Sequence, residues 1–445
     1  MSIKLSSILD VAKIKGLEYL ELYNSKVSKS TLKVFEGQLE QFNTSSEMGL
    51  SLKGSFEGKI GYAYTEKMDA TSVEQAIDMV IQYAKNSSEN SYLSEKNNDK
   101  KEFCNKLTID EVEPVEIKDI LLKLERYALS YDERIDSVSH LEFTQITKDI
   151  TLMDTAGMNI SENYGNNILS IGIIAKQEND TKTLYTSDKV KSISYEGLLP
   201  LVEKICLDTI NLLGAKKAKT GRGKAILHSC ASAEIFSAIV PVFSAMNVMK
   251  KISRFKDKLG VKVAVDKLSI VDNSLDENGY IRRHYDDEGS LSKETFIIKE
   301  GLLTSFMHNN KTARQMETST SSNGYKASHK NTVGITPTNM KILSGDTDLH
   351  DMILKLNDGV IITDVQGLHA GVNPVSGDIS LSCSGYIIEE GKLTRPFSNS
   401  VISGNFYEII NNILEISDDT YYYFNGDYAF ASPSILIDNM SIAGE

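Results

Sequence analysis

The chain reads as an α+β protein, with a mixed α/β N-terminal domain over residues 1–214 and a β-rich C-terminal domain over residues 224–445. Three observations predict this. In the first half, apolar residues at helical spacing alternate with β-branched and aromatic runs of strand length. A basic stretch, Ala215 to Gly223 (AKKAKTGRG), separates the halves and reads as a flexible link. Beyond it, short β-branched runs broken by Gly, Pro and Asn dominate.

Taken in order, the first helix is expected over Leu5 to Lys15, stopped by Gly16. Strands follow at Tyr19 to Tyr23, Thr31 to Phe35 and Leu39 to Phe42, the last two flanking a Glu36-Gly37-Gln38 turn. Gly49 to Lys53 and Lys59 to Tyr64 continue the sheet. A helix from Thr71 to Lys85 opens on a capping-box pattern, Thr71-Ser72-Val73-Glu74, with Val73, Ile77, Val80, Ile81 and Ala84 on one face. Asn86 to Lys101 is polar enough for a loop or linker. Pro114 suits the start of a helix running to Ser130. Strands are expected at Ser137 to Thr147, Asp149 to Asp154 and Ile168 to Lys176, then a helix from Tyr195 to Leu213 between Ser194 and Gly214. The element order hints at duplication, but no sequence repeat accompanies it.

In the second half, Ala225 to His228 reads as a strand. Ala231 to Met246 carries a helical stripe of Ile235, Phe236, Ile239, Val240, Phe243 and Met246. Two stretches, Ile297 to Thr304 and Ile387 to Thr394, both pair an I-I-x-E run with a glycine turn, which predicts equivalent hairpins in one sheet or barrel.

At 445 residues, 41% hydrophobic and 24% charged, the composition is that of a globular protein. The formal charge of −13 repels a nucleic-acid backbone. No run approaches a membrane span, and the N-terminus lacks a secretion pattern, so a cytoplasmic location is expected. Cys104, Cys206, Cys230 and Cys383 are scattered and form neither a disulfide framework nor a zinc knuckle.

The most informative stretch runs from Asp358 to Asn405. A buried strand, Val360-Ile361-Ile362-Thr363, leads into a turn-rich loop, Gly371-Val372-Asn373-Pro374-Val375-Ser376-Gly377-Asp378, and then a return hairpin at Gly391. A glycine-rich loop on a rigid frame is a common place for binding. This stretch resembles the C-terminal region of the TldD/PmbA family, also described as modulators of DNA gyrase. The residues that carry the resemblance are Gly371 to Asp378, the small-residue run Ser380 to Gly385, Glu389-Glu390-Gly391 and Ile402-Ser403-Gly404-Asn405. It extends to Tyr285-Asp286-Asp287-Glu288-Gly289, Thr336-Pro337-Thr338-Asn339, Ser432-Pro433-Ser434 and Ile442-Ala443-Gly444. For the fold, the resemblance implies an α+β N-terminal domain and a barrel-like C-terminal one.

One branch of that family carries H-E-x-x-x-H on the helix after the first C-terminal strand. Two histidines there hold zinc and a carboxylate activates its water. In this chain Ser237 and Val242 stand at the histidine positions and Ala238 at the glutamate, so none can serve, and Pro241 would bend the helix. None of His140, His228, His284, His308, His329, His350 and His369 has the spacing to replace them. His228 and Cys230 form an H-x-C pair of the kind that is usually structural. Cys383 with His369 as base is the sole candidate nucleophile. Asp276-Glu277 and Asp286-Asp287-Glu288 read as exposed loop charge ahead of cation sites, and Tyr421 to Phe424 as core or interface.

The resemblance therefore implies a PmbA/TldE-like subunit of a cytoplasmic metalloprotease complex that trims unfolded peptides and matures peptide precursors. The chain itself would bind no cofactor, and zinc would sit in a TldD-like paralogue. Pairing is expected as a homodimer in isolation and a hetero-pair with that paralogue. An extended peptide would meet backbone groups around Gly371, Val372, Asn373, Ser376, Gly377 and Asp378. Two rival readings are a non-proteolytic modulator of a partner such as gyrase, and a peptidase with an unrecognised site. The acidic charge makes one expectation concrete: at physiological salt, a gel shift with duplex DNA shows no micromolar complex.

Overall fold

The computed structural model describes residues 4–91, 102–106, 113–190 and 192–445. Much of the expected Asn86 to Lys101 linker lies outside the described residues.

The N-terminal half is a seven-stranded sheet, mostly of long antiparallel strands with the short Glu102–Lys106 pairing parallel at one edge, backed by helices. Tyr19–Phe35 pairs with Gln38–Phe56 across the expected turn, where Glu36 and Gly37 both take positive φ (51° and 74°). The expected short strands fuse: Tyr19–Phe35, Gln38–Phe56 and Ile135–Asp154 are each continuous. The polar stretches Asn24 to Ser30 and Asn43 to Met48 look like breaks in sequence. Here they pair with each other, Val27 with Glu47 and Ser30 with Thr44, so their backbone groups are satisfied despite weak propensity. Asp180–Lys189 adds an unexpected strand, paired to Asn159–Gln177. Helix Ala70–Asn86 starts one residue before the capping-box reading, because Asp69 is the cap and accepts from the Ser72 amide at 2.9 Å.

The C-terminal half is built around a closed five-stranded barrel. Lys392–Asn405, Asp378–Glu389, Gly359–Gln366, Gly221–Leu227 and Ile435–Ala443 pair in that order, and the ring closes through Val401 with Ala443 and Ile402 with Ile442. A second, six-stranded sheet runs beside it. Helix Ser229–Ile239 joins the two and fills the space between them with Ile235, Phe236 and Ile239, all buried. Phe236 meets Phe406 edge-on at 5.6 Å and stacks on Phe430 at 6.2 Å. Pro241 lacks an amide to continue the ladder, and the chain tightens there to a 3-10 turn, Val240–Phe243.

Two expectations change. Ala215 to Gly223 is fastened into the barrel and does not form a loose link. The Ala218 amide donates to Ser400 Oγ (2.8 Å), its carbonyl accepts from Glu445 (3.0 Å), and Gly221 begins a barrel strand. The twin hairpins share turn geometry, with Glu300-Gly301 and Glu390-Gly391 all at positive φ, but lie in different sheets. The local glycine turn specifies a hairpin and says nothing of its neighbours.

The halves meet over buried charge. Asp286, Asp287 and Glu288, expected on an exposed loop, are at most 3% exposed. Arg283, equally buried, faces Asp287 at 3.6 Å, and Lys53 of the N-terminal sheet faces Glu288 at 3.6 Å. Lys326 donates to Ser51 Oγ and lies 4.9 Å above the Tyr23 ring. Asp286 accepts the amides of Glu288, Ser290 and Gly324. Removing one member of such a cluster leaves a dry, uncompensated charge. Arg283→Leu is therefore expected to lower unfolding free energy by about 3–5 kcal/mol in a denaturant titration, where an exposed ion pair such as Lys262 with Asp266 costs about 1 kcal/mol or less.

Candidate functional site: the inter-half cleft and the glycine loop

The position where the resemblance puts a metal is filled by core. Ser237 and Val242 are 2% and 3% exposed, and Ala238 packs against the same apolar cluster. The Tyr428 hydroxyl donates to the Ser237 carbonyl at 2.8 Å, and the Ser237 hydroxyl lies 3.4 Å from it. A hydroxyl, a methyl and an isopropyl group offer no imidazole and no carboxylate. The residues present do not fit a zinc ion.

The glycine loop is rigid and largely self-satisfied. A short turn of helix, Leu368–Gly371, precedes it. The Asn373 side chain accepts the amides of Val375 and Ser376 at 2.9 and 3.2 Å, and the Gly377 amide reaches the Asn373 carbonyl at 2.8 Å. The Asn405 side chain holds the Ser376 carbonyl and the Asp378 carboxylate, each at 2.9 Å, and the Phe406 amide takes the Gly377 carbonyl. Val372 bridges to Ile379. The glycines serve close packing within the chain: a Cβ on Gly371 would overlap the Ser380 carbonyl, and one on Gly377 the Tyr407 ring. What the loop leaves open is a shallow depression bordered by Gly367, Gly371, Asn373, Asp378 and Ser380.

Cys383 is 2% exposed in the core, where burial pushes its thiol up to about 12, whereas His369 is exposed. A protonated core thiol is the reverse of an activated nucleophile. Tyr421–Phe424 is a strand on which Tyr422 and Phe424 pack against a cluster that includes Tyr23, Ile150 and Ile160 of the N-terminal half; within the C-terminal half Tyr422 donates to Asp276 at 2.9 Å and Phe424 stacks on Tyr280 at 4.9 Å.

A site not singled out in the sequence lies between the halves. A cavity of about 190 Å³ is walled by strand Asp180–Lys189 and helix Tyr195–Asn211 on one side and by His228, Cys230, Glu234 and Asp364 on the other. The strand end and first turn of helix Ser229–Ile239 aim these groups at it. Cys230 and Glu234, one turn apart, share the helix face opposite the core. The His228 Nδ1 lies 3.0 Å from the Cys230 sulfur, and that thiol donates to the Thr363 carbonyl at 3.1 Å. Burial pushes the thiol up to about 12 and the imidazole below its usual range, so both are neutral. Burial, with Asp364 adding to it, raises the Glu234 carboxyl to about 8. Burial also raises Asp364 and Asp208. The cleft is a polar chamber whose acids lean toward their protonated forms. Its sequence signals were the His228/Cys230 pair, read there as structural, and Glu234, the one charged residue of the helix, four residues after Cys230.

Residues 220–444 match the family model described as the PmbA/TldA metallopeptidase C-terminal domain, and residues 20–84 match the model of domain 1 of the same family. A Methanocaldococcus jannaschii protein named a metalloprotease is 24% identical, with 93% of each chain covered. A Haemophilus influenzae PmbA homologue is 23% identical over 95% of this chain and 92% of its own. Among solved structures, TldE from Thermococcus kodakarensis superposes with a TM-score of 0.84 at 19% identity, covering 99% of this chain and 100% of that one. A Thermotoga maritima protein described as a candidate modulator of DNA gyrase gives 0.85 at 22% identity, covering 98% and 99%. The structural likenesses establish the shared fold, and the family match extends over half the chain. The protein belongs to the PmbA/TldD metallopeptidase family.

Glu234 gives the cleft a measurable signature. Between its ordinary 4.5 and about 8, the folded chain holds a proton on Glu234 that the unfolded chain has released. That contribution to stability is present at low pH and lost as pH rises toward 8. Glu234→Gln cannot ionise, so unfolding titrations at pH 5, 6.5 and 8 are expected to show the variant gaining on wild type with each step.

Proposed function

We propose that this chain is the non-catalytic member of a metallopeptidase pair, acting beside a zinc-bearing paralogue on extended peptides and peptide precursors in the cytoplasm. The observation that supports this reading is the set of side chains at Ser237, Ala238 and Val242, a hydroxyl, a methyl and an isopropyl group with no metal ligand among them, Ser237 and Val242 being buried. Zinc and the water it activates belong to the partner. No helix among the described residues is long and apolar enough to cross a membrane.

In this reading the chain supplies walls. The Gly371 to Asp378 loop forms a stiff lip whose side chains and depression, with its amides already engaged, meet the peptide. The surface for pairing is the N-terminal sheet. From Gln38 to Gly49 the second strand has, among the described residues, a partner on one side only, with Leu39, Phe42 and Met48 each more than 40% exposed along it. The tyrosine strand already makes contacts within the chain, through Tyr422 with Asp276 and Phe424 with Tyr280. Alone, the chain pairs with itself through that edge.

The test is reconstitution. The purified chain is expected to leave an unfolded peptide intact, while a mixture with a zinc-bearing paralogue cleaves it and the two elute together in size-exclusion chromatography. Cleavage by this chain alone after metal stripping would overturn the proposal.

A further inference from the structure

Away from the cleft, Glu47, Glu66 and His329 bring one ligand atom each to within 4.8 Å of one another, the one such convergent group among the described residues. Glu47 lies on strand Gln38–Phe56 and Glu66 follows strand Lys59–Thr65, both in the N-terminal half, while His329 comes from a C-terminal loop. His329 is 2% exposed, yet its Nε2 has no hydrogen-bond partner. A buried imidazole nitrogen in this state needs an explanation. The ring is held in place: Gly49 leaves the space it occupies, since a Cβ there would overlap it, and Tyr64 meets it edge-on at 6.0 Å.

The Nε2 points at Glu66 Oε1 from 3.6 Å. That is too far for a good hydrogen bond. It matches the separation of two ligands sharing one tetrahedral ion, roughly 3.3–3.6 Å for metal–ligand bonds of about 2.0–2.2 Å. Lys330 stands in the same place as a resident cation, 2.6 Å from Glu66 and 3.5 Å from Glu47, on a side chain 44% exposed and free to swing out. Beside the group lies a groove of about 770 Å³ edged by Tyr62, Tyr64 and Tyr83, onto which open coordination positions would face.

We propose that His329, Glu66 and Glu47 form a divalent metal site that clasps the two halves of the chain, with Lys330 as the counter-cation the metal displaces. One imidazole and two carboxylates, without sulfur, suit zinc, cobalt(II), manganese or iron(II); calcium takes oxygen ligands in larger number. This site is separate from the core position at Ser237; Glu47 lies on the strand edge proposed above for pairing, so the titrations are run at a concentration where the chain is monomeric.

Isothermal titration of the untagged full chain with zinc, and cobalt(II) absorption spectra, test it. One equivalent is expected to bind and to raise the unfolding temperature, because the ligands come from both halves. Glu66→Gln and Glu47→Gln remove exposed side chains at little folding cost; each is expected to weaken binding about tenfold or more and to abolish the thermal shift. Lys330→Met removes the competitor and is expected to tighten binding. Absence of binding, affinity unchanged in both glutamine variants, or a thiolate charge-transfer band with cobalt would each overturn the proposal.

Discussion

The two halves are held in register by charges that have been taken out of water. Arg283, Asp286, Asp287, Glu288, Lys53 and Lys326 are almost fully buried where the N-terminal sheet meets the C-terminal half. Each such ion loses several kcal/mol of hydration and recovers it only with its partners in place. A misdocked half would strand one of them, so the cluster acts as a lock that accepts a single orientation. Lys326 pays part of this in basicity: burial lowers its ammonium to about 8 even with Glu21, Asp287 and Glu288 nearby. The aromatic rings of Tyr23, Tyr164 and Tyr325 face Lys326 and Lys148 and replace some of the lost solvation.

That lock fixes the wall between strand Asp180–Lys189 and helix Ser229–Ile239, and so the cleft. The helix is used on two sides. Its apolar side, with Phe236 and Ile239, joins the barrel to the second sheet. Its other side presents Cys230 and Glu234 to the cavity. Ser237, three residues after Glu234, is covered by Tyr428, whose hydroxyl donates to the Ser237 carbonyl.

The glycine loop illustrates how a motif can be legible in kind and misread in use. Its glycines do mark close approach, but the approaching groups are the chain's own Ser380 carbonyl and Tyr407 ring. A linear sequence gives the need for a missing Cβ without naming what fills the space. The same holds for Asp286 to Glu288. Three adjacent acids look solvated in isolation, and only the opposing sheet, with Lys53 and Ser51, makes their burial tolerable.

By itself the sequence determined the α+β class, the helices of the N-terminal half and the one that follows Ala225 to His228, the turns at Gly37, Gly301 and Gly391, the break at Pro241 and the family motifs; the helix Leu349–Leu356 went unread. These rest on local rules: periodicity, capping and backbone freedom act over a few residues. Tertiary structure alone decided that polar runs such as Asn43 to Met48 continue strands, because a paired neighbour satisfies their backbone. It decided that Ala218 is stitched to Ser400 and Glu445, and that five strands distant in sequence close into a barrel. It also decided which carboxylates share a cleft and which meet a buried imidazole, since Glu47 and His329 are brought together only when the halves dock. Such pairings depend on long-range contact, which no local pattern encodes.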